Sequence, residues 1–208
     1  MIRLEFVLRR KQGLSREDFQ DYWKNKHGPL VAQYSSILKI HRYIQLHTLT
    51  DQINSSLSDA RGGMEEPYDG VAELWWESTD HLSSFTTTEG TAAAQRLLED
   101  EKEFIDLPNS PLWFAYEYPQ VNPSEYMVAT THSPLVKLFF CLREPATQTT
   151  EDCQLYWRTN HGPLIRGVST GFRMQRYLQV HRCNLPLSDS LSQPRGTQVT
   201  PYTGHAEA

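Results

Sequence analysis

Tyr22-Trp23-Lys24-Asn25-Lys26-His27-Gly28-Pro29-Leu30 is the stretch that decides the fold, because its defining residues occur twice. Tyr156-Trp157 and His161-Gly162-Pro163-Leu164 repeat them 134 positions later. At this offset residues 1–74 align with residues 135–208 without a gap, and 28 of the 74 positions are identical. Such a repeat indicates two copies of one structural unit. We predict a complete first copy at 1–118, a linker at 119–134 and an incomplete second copy at 135–208.

Composition narrows the class of protein. The chain has 208 residues, of which 38% are hydrophobic and 22% charged, as in ordinary globular proteins. A net charge of −5 offers no basic surface for phosphate backbones, so we expect no nucleic-acid partner. No apolar run is long enough for a membrane span, and the charged N-terminus does not resemble a signal peptide. We therefore predict a cytoplasmic protein without a membrane partner.

Three cysteines, Cys141, Cys153 and Cys183, show no CxxC spacing. They stand at the positions that Val7, Phe19 and Leu49 occupy in the first copy. We therefore expect them to be reduced and to behave as small buried hydrophobic residues.

The first copy begins with a strand and a helix. Ile2, Leu4, Phe6 and Leu8 alternate with their neighbours, which is typical of a strand with one buried face. Ser15 is a suitable N-cap for a helix that buries Phe19, Tyr22 and Trp23. Glycine and proline weaken helices, so Gly28-Pro29 predicts a break immediately after His27.

A second strand is predicted at residues 40–49, with a polar and an apolar face. Tyr43, Gln45 and His47 lie on one side, while Ile40, Ile44 and Leu46 lie on the other. We expect the apolar side to meet the helices. The aromatic and hydrogen-bonding side recurs as Tyr177, Gln179 and His181, which favours a role beyond contact with solvent.

The rest of the first copy completes an α+β unit. We predict a third strand at 70–77, a helical region capped by Ser78 that breaks near Gly90 and resumes over 92–105, and a fourth strand at 112–118. The order strand, helix, strand, strand, helix, strand is typical of the ferredoxin-like arrangement. The charged run Glu99 to Glu103 is interpreted as a solvated helix face.

The motif W-x-x-x-H-G-P-L, at 23–30 and 157–164, followed by a Tyr/Gln/His strand, resembles the EthD family of the dimeric α+β barrel superfamily. The resemblance covers all of the first copy and about two thirds of the family's unit in the second. It implies two ferredoxin-like units that face each other around a small-molecule cavity, here as a fused pseudo-dimer. The family is named for a protein needed in degradation of a fuel ether alongside an oxygenase system, and fungal relatives act as decarboxylases or dehydratases on aromatic polyketides.

His27 and His161 are the candidate proton-transfer residues, because an imidazole can act as acid or base near neutral pH. The structural alternative is that each histidine binds the end of a broken helix. We interpret Tyr43, Gln45 and His47 as residues that orient a substrate in the cavity, as for Tyr177, Gln179 and His181 in the second copy. Trp23 is a further candidate for contact with an aromatic ligand, although core packing is favoured for both Trp23 and Trp157.

Cofactors and metals find little support in the sequence. The eight histidines show neither the H-x-x-x-H nor the H-E-x-x-H spacing, and no glycine-rich phosphate loop, Rossmann fingerprint or G-x-S-x-G elbow is present. We therefore predict no metal and no cofactor.

These features favour a cofactor-independent enzyme that acts by acid–base chemistry on a small hydrophobic or aromatic molecule. Decarboxylation, dehydration and oxidation all remain open, so both lyase and oxidoreductase classes are carried forward. A second hypothesis is a non-catalytic ligand-binding or accessory protein that supports an oxygenase pathway. A third is a partial chain whose open sheet edge is covered by homo-oligomerisation.

Overall fold

The computed structural model describes residues 1–121 and 127–208. Part of the predicted linker, residues 122–126, therefore lies outside the described residues. The described chain forms two compact units, which we call unit 1 (1–112 and 185–200) and unit 2 (113–184 and 201–208). The units cross the borders of the sequence repeat, since residues 185–200 belong to the second copy by sequence and to unit 1 by packing.

Helices and antiparallel strands make up both units, so the predicted α+β class is confirmed. The described strands are β1 (Ile2–Leu8), β2 (Arg42–His47), β3 (Gly70–Trp76), β4 (Leu112–Val121), β5 (Phe139–Leu142), β6 (Tyr177–Cys183) and β7 (Gly204–Glu207). The described α-helices are α1 (Arg16–Tyr22), α2 (Gly28–Tyr34), α3 (Ile53–Asp59), α4 (Thr88–Phe104), α5 (Thr150–Tyr156), α6 (Gly162–Val168) and α7 (Pro186–Ser192). Among the described helices, none is both long enough and apolar enough to cross a membrane.

Strand pairing follows the repeat within each unit. In unit 1, β3 lies between β2 and β1 and pairs antiparallel with both. In unit 2, β7 lies between β6 and β5 in the same way, as expected from the alignment of the two copies. The other side of β6 pairs with β4, a strand from the first copy. The pseudo-dimeric barrel itself stays a prediction.

The helix that carries the repeated motif is continuous, so the predicted break at Gly28-Pro29 is wrong. Ser15 caps α1 as predicted, with its Oγ accepting a hydrogen bond from the backbone N–H of Asp18 at 3.0 Å. A π-helical turn at Trp23–His27 joins α1 to α2, and Gly28 keeps helical dihedral angles. In this turn the N–H of Gly28 donates to the main-chain oxygen of Trp23, and Pro29 stands in the first turn of α2, where proline is tolerated. The same turn recurs at Trp157–His161, and such turns are frequent at functional sites.

The second helical region also differs from its prediction. Ser78 makes no capping hydrogen bond and is followed by a 3₁₀ helix at Thr79–Thr86. The long helix α4 is instead capped by Thr87, whose Oγ1 accepts a hydrogen bond from the N–H of Gly90. Gly90 does not break α4. A Cβ at this position would lie 1.8 Å from the carbonyl oxygen of Ser84, so only glycine fits this close approach.

Cysteine burial is lower than predicted. Cys141, Cys153 and Cys183 are free thiols, and all three are partly buried. Burial raises the pKa of Cys183 to about 11 and raises that of Cys153, so both stay in the unreactive thiol form near neutral pH.

Candidate active site in unit 1

The polar face of β2 meets the helices, contrary to the prediction that the apolar face would do so. The hydroxyl oxygen of Tyr43 accepts a hydrogen bond from Trp23 Nε1 at 2.8 Å. Gln45 Nε2 donates to the main-chain oxygen of Trp23 at 2.9 Å and to the Tyr43 hydroxyl at 3.1 Å. The His47 ring stacks on Trp23 at 4.8 Å between centroids, and its Nε2 lies 3.0 Å from Gln45 Oε1. The main-chain oxygen of Trp23, in the π-helical turn, thus accepts a hydrogen bond from a side chain of β2.

Unit 2 contains the same four-residue network. Trp157 Nε1 donates to the Tyr177 hydroxyl at 3.3 Å, and Gln179 Nε2 donates to the Trp157 main-chain oxygen at 2.9 Å. His181 stacks on Trp157 at 4.7 Å and is also in ring contact with Tyr118 of β4 at 4.5 Å. The recurrence of this network in both units favours a structural role for it.

The two stacked histidines stay neutral. Burial lowers the pKa of His181 to about 4, with nearby Arg158 adding to the effect. Burial, followed by Lys24, also lowers the pKa of His47. A neutral imidazole stacks on an indole ring without the cost of burying a charge. Gln45 and His47 therefore bind Trp23 and the backbone in this structure, and neither lines the cavity described next.

A mostly apolar cavity lies within unit 1, beside this network. Its empty volume is about 600 Å³, including its opening to solvent. Four ionisable side chains line it: His27, Tyr43, Glu101 and Arg195. The apolar lining comes from the sheet, from α2 and from α4, and includes Phe6, Val31, Leu38, Leu74, Trp76 and Leu97. A few polar groups in an apolar concavity are typical of small-molecule sites.

His27 is buried at the edge of this cavity and is held by an acidic residue. Its Nδ1 lies 2.8 Å from Asp100 Oδ2 on α4, and its ring contacts Phe104 at 5.1 Å. The other oxygen of Asp100 accepts a hydrogen bond from the Tyr22 hydroxyl at 3.1 Å. With Asp100 ionised, the Nδ1 of a neutral His27 carries the proton and Nε2 carries the lone pair. His27 thus binds a side chain of α4 and not a broken helix end.

Tyr43 offers a proton donor to the same cavity. Its oxygen accepts hydrogen bonds from both Trp23 and Gln45, which occupies its lone pairs. Burial raises the pKa of Tyr43 above its usual range, with those two hydrogen bonds opposing the rise. The hydroxyl therefore stays protonated, and its O–H has no acceptor among the residues that the structure describes. An acceptor oxygen on a ligand would satisfy it.

An ion pair between the two sequence copies completes the lining within unit 1. Arg195 Nε and Nη2 donate to the two oxygens of Glu101 at 2.8 and 2.7 Å. Arg195 Nη1 also donates to the main-chain oxygen of Leu191, which anchors the end of α7. Two parallel hydrogen bonds of this kind fix geometry as well as charge. The second copy therefore supplies a side chain to the site built by the first.

Asp100 and Glu101 were missed by the sequence reasoning, and the interpretation of Glu99 to Glu103 as a solvated face is wrong for both. For Glu101 the sequence did contain a signal, which is its position on the apolar stripe of the helix. The buried positions Ala93, Leu97 and Phe104 recur at helical spacing along α4, and Glu101 falls on that same stripe. A carboxylate on an apolar stripe needs a partner, and Arg195 is that partner.

His161, the second predicted proton-transfer residue, lies in different surroundings. Its side chain is exposed. The structure therefore assembles a histidine–carboxylate pair around His27 and does not do so around His161 in the residues it describes.

Part of the chain is similar in sequence to a known domain. Residues 11–108 match the EthD domain. A crystal structure of an ethyl tert-butyl ether D (EthD) family protein from Bacillus halodurans is similar with a TM-score of 0.40 and 17% identity, covering 57% of this chain and 99% of that one. No curated protein matches the sequence. The region that matches the EthD domain therefore contains His27, Tyr43 and Asp100.

Proposed function

We propose that unit 1 is an acid–base active site for a small, largely apolar molecule that carries a carbonyl or phenolic oxygen. One observation carries the proposal: the residues lining one apolar cavity include a base, His27 Nε2, and a hydrogen-bond donor, the Tyr43 O–H, that has no acceptor among the described residues. Aromatic or polyketide-like ketones have this combination of apolar surface and acceptor oxygen.

The roles follow from the hydrogen bonds that each group already makes. His27 removes a proton from the carbon next to the substrate carbonyl, and the C–H electron pair forms the C=C bond of an enolate. The negative charge moves to the carbonyl oxygen, which accepts the hydrogen bond of Tyr43. Asp100 is a positioning residue that holds the ring and stabilises the imidazolium formed. These steps need no oxidant.

Two lyase reactions use this arrangement. In a dehydration, the enolate expels a β-hydroxyl group, which takes the proton from His27 and leaves as water. In a decarboxylation, His27 takes the proton of the substrate carboxyl group, the C–C electron pair forms the enolate as CO₂ leaves, and the protonated His27 then returns that proton to the enolate carbon. Arg195 and Glu101 hold the wall of the cavity formed by the end of α7.

Exchange of carbon-bound protons tests the proposed base directly. Anthrone is a suitable probe, since it is an aromatic ketone whose acidic CH₂ group is conjugated to the carbonyl through the rings. Its deprotonation therefore also places negative charge on the carbonyl oxygen, and its exchange can be followed by NMR in D₂O. We expect the chain to accelerate its deuterium exchange and His27→Ala to lower that acceleration by about 10²- to 10⁴-fold. His161→Ala is the matched control and should leave the rate unchanged.

Tyr43→Phe tests the donor while keeping the ring. Removal of one oxyanion donor commonly lowers rates by about 10²- to 10³-fold. Thermal melts with anthrone separate binding from catalysis, because a ligand that binds the native state raises the Tm. A raised Tm without faster exchange supports the alternative of a non-catalytic binding protein. Two results would overturn the proposed site. One is the absence of both a Tm shift and faster exchange, and the other is full exchange activity in His27→Ala.

A further inference from the structure

A short segment of the second sequence copy forms part of the wall of the unit 1 cavity. Residues 185–200 pack with unit 1, although the residues on both sides of them in the chain belong to unit 2. We call this segment the α7 strap. Two of its side chains, Leu191 and Arg195, line the cavity. A ligand in the cavity is therefore bounded on this side by the second copy.

Hydrogen bonds fix the α7 strap on unit 1. Arg195 donates to both oxygens of Glu101, which also lines the cavity. Its Nη1 donates to the main-chain oxygen of Leu191 at 2.8 Å. Further along the strap, the backbone N–H of Gln198 donates to the main-chain oxygen of Pro108 at 2.9 Å. Arg195 thus connects Leu191 to the wall that α4 supplies, and so sets the position of the Leu191 side chain.

The first copy contains the same short motif away from the cavity. Ser-Leu-Ser-x-x-Arg-Gly occurs twice, once around Leu57 and once around Leu191. Arg61 Nη1 donates to the main-chain oxygen of Leu57 at 3.2 Å, which repeats the bond from Arg195 to the strap. Leu57 is not among the described residues that line the cavity. The internal hydrogen bond therefore belongs to the motif, whereas contact with the cavity is particular to the second copy.

From this we infer that Leu191 is a specificity-determining residue, which limits the size of the aromatic ketone that the cavity accepts, and that Arg195 is its positioning residue. Most of the remaining apolar lining is buried core of the sheet, α2 and α4. Leu191 is only partly buried, so it lies where the cavity meets its boundary. An apolar pocket commonly discriminates by about 10- to 200-fold for one methylene of ligand size. This inference rests on the proposed function, because it names the substrate size that the same cavity accepts.

Three ketones of increasing size test the inference: 1-tetralone with two fused rings, anthrone with three and benzanthrone with four. The dependence of Tm on ligand concentration gives their dissociation constants, since a ligand that binds the native state raises the Tm. We expect the parent chain to bind anthrone more tightly than benzanthrone. Leu191→Ala should bind benzanthrone about tenfold or more tightly than the parent chain does. Leu191→Trp should bind anthrone about tenfold or more weakly and still bind 1-tetralone.

Matched variants separate ligand selection from folding. Leu57→Ala and Leu57→Trp make the same changes in the other copy of the motif and should keep the preferences of the parent chain. Arg195→Lys keeps the charge beside Glu101 but loses the fork of donors that reaches both Glu101 and Leu191. It should reduce the preference for anthrone over benzanthrone severalfold, which a loss of stability alone would not do. A cooperative melt without ligand shows that each variant folds, and Leu191→Ala suffices where Leu191→Trp does not fold.

The outcomes distinguish this inference from the proposed chemistry. Faster exchange of anthrone by the parent chain, with unchanged size preferences in the Leu191 variants, would overturn the inference and leave the proposed function intact. The expected preferences without faster exchange would support the inference and contradict the proposed catalysis. Equal effects of the Leu191 and Leu57 variants would overturn the inference. Binding of none of the three ketones, by the parent chain or by Leu191→Ala, would overturn it as well, because the cavity would then hold no ligand to select.

Discussion

Unit 1 and unit 2 share one internal network and differ in what surrounds it. Both stack a histidine on a tryptophan and bind the main chain of a π-helical turn through a glutamine. Around the network in unit 1, α4 and Arg195 enclose a cavity with a histidine–carboxylate pair. In unit 2 the equivalent helix face is exposed. The comparison teaches that the repeated motif builds the scaffold, whereas the site depends on residues that come from outside the motif.

Arg195→Met tests the contribution of the second copy to unit 1 and has the largest expected effect on stability. The side chains of Arg195 and Glu101 are only 10% and 7% exposed. Loss of one partner leaves a buried carboxylate unpaired, which costs about 3–5 kcal/mol in free energy of unfolding. Urea denaturation measures this cost. Arg195→Met combined with Glu101→Leu should recover most of it.

The repeat offers a matched control for that variant. Arg61 is the counterpart of Arg195 and is exposed, and its Nη1 donates to the main-chain oxygen of Leu57 at 3.2 Å. Arg61→Met should change the free energy of unfolding by no more than about 0.5 kcal/mol. Equal costs for the two arginine variants would contradict the assignment of residues 185–200 to unit 1.

Leu38→Ala and Phe172→Ala compare one position in the two units. Leu38 is buried under α4, so its truncation should lower the free energy of unfolding by about 2–5 kcal/mol. Phe172 is exposed, and its truncation should change stability by less than about 0.5 kcal/mol. A large cost at Phe172, measured by the same denaturation, would show that this side chain is buried in solution.

The two stacked histidines predict a pH dependence. The unfolded chain binds a proton at each histidine near pH 6.5, whereas the pKa of His181 in the folded chain is about 4. Because the unfolded state then binds more protons, stability is full above pH 6.5 and is lost as pH falls from 6.5 toward 4. Phe in place of histidine keeps a stacking ring without titrating.

The Tm, measured between pH 4 and pH 7, should therefore depend less steeply on pH for His181→Phe than for the parent chain. His47→Phe should flatten the dependence less, since His47 is only partly buried and His181 is buried. If the dependence of Tm on pH is unchanged in His181→Phe, then His181 is not the titrating group.

The smallest effect is expected where the two copies agree. Lys39 and Arg173 occupy equivalent positions after α2 and α6, and both have a positive φ, of 53° and 52°. Side chains other than glycine are strained there. Lys39→Gly and Arg173→Gly should each raise the free energy of unfolding by about 1 kcal/mol or less. Effects of opposite sign would show that the two turns are not equivalent.

Several predictions failed for an identifiable reason. The break at Gly28-Pro29 was predicted from local preferences, which a π-helical turn and the hydrogen bond from Gln45 to the Trp23 main chain override. The orientation of β2 was predicted from hydrophobicity alone. Tyr43, Gln45 and His47 face the helices because Trp23 and its main-chain oxygen need hydrogen-bond partners there. The cytoplasmic location and the substrate class stay predictions.

The sequence by itself determined the repeat, the α+β class, the strand order within each copy and the Trp23, Tyr43, Gln45 and His47 set. Local periodicity and a constant offset reveal these features, and neither depends on contacts between residues that are far apart in the chain. Only the tertiary structure decided that Asp100 meets His27, that Arg195 meets Glu101, and that residues 185–200 pack with the first copy. The physical reason is separation along the chain: these partners lie 73 and 94 residues apart, so packing of whole elements brings them together and local sequence patterns do not.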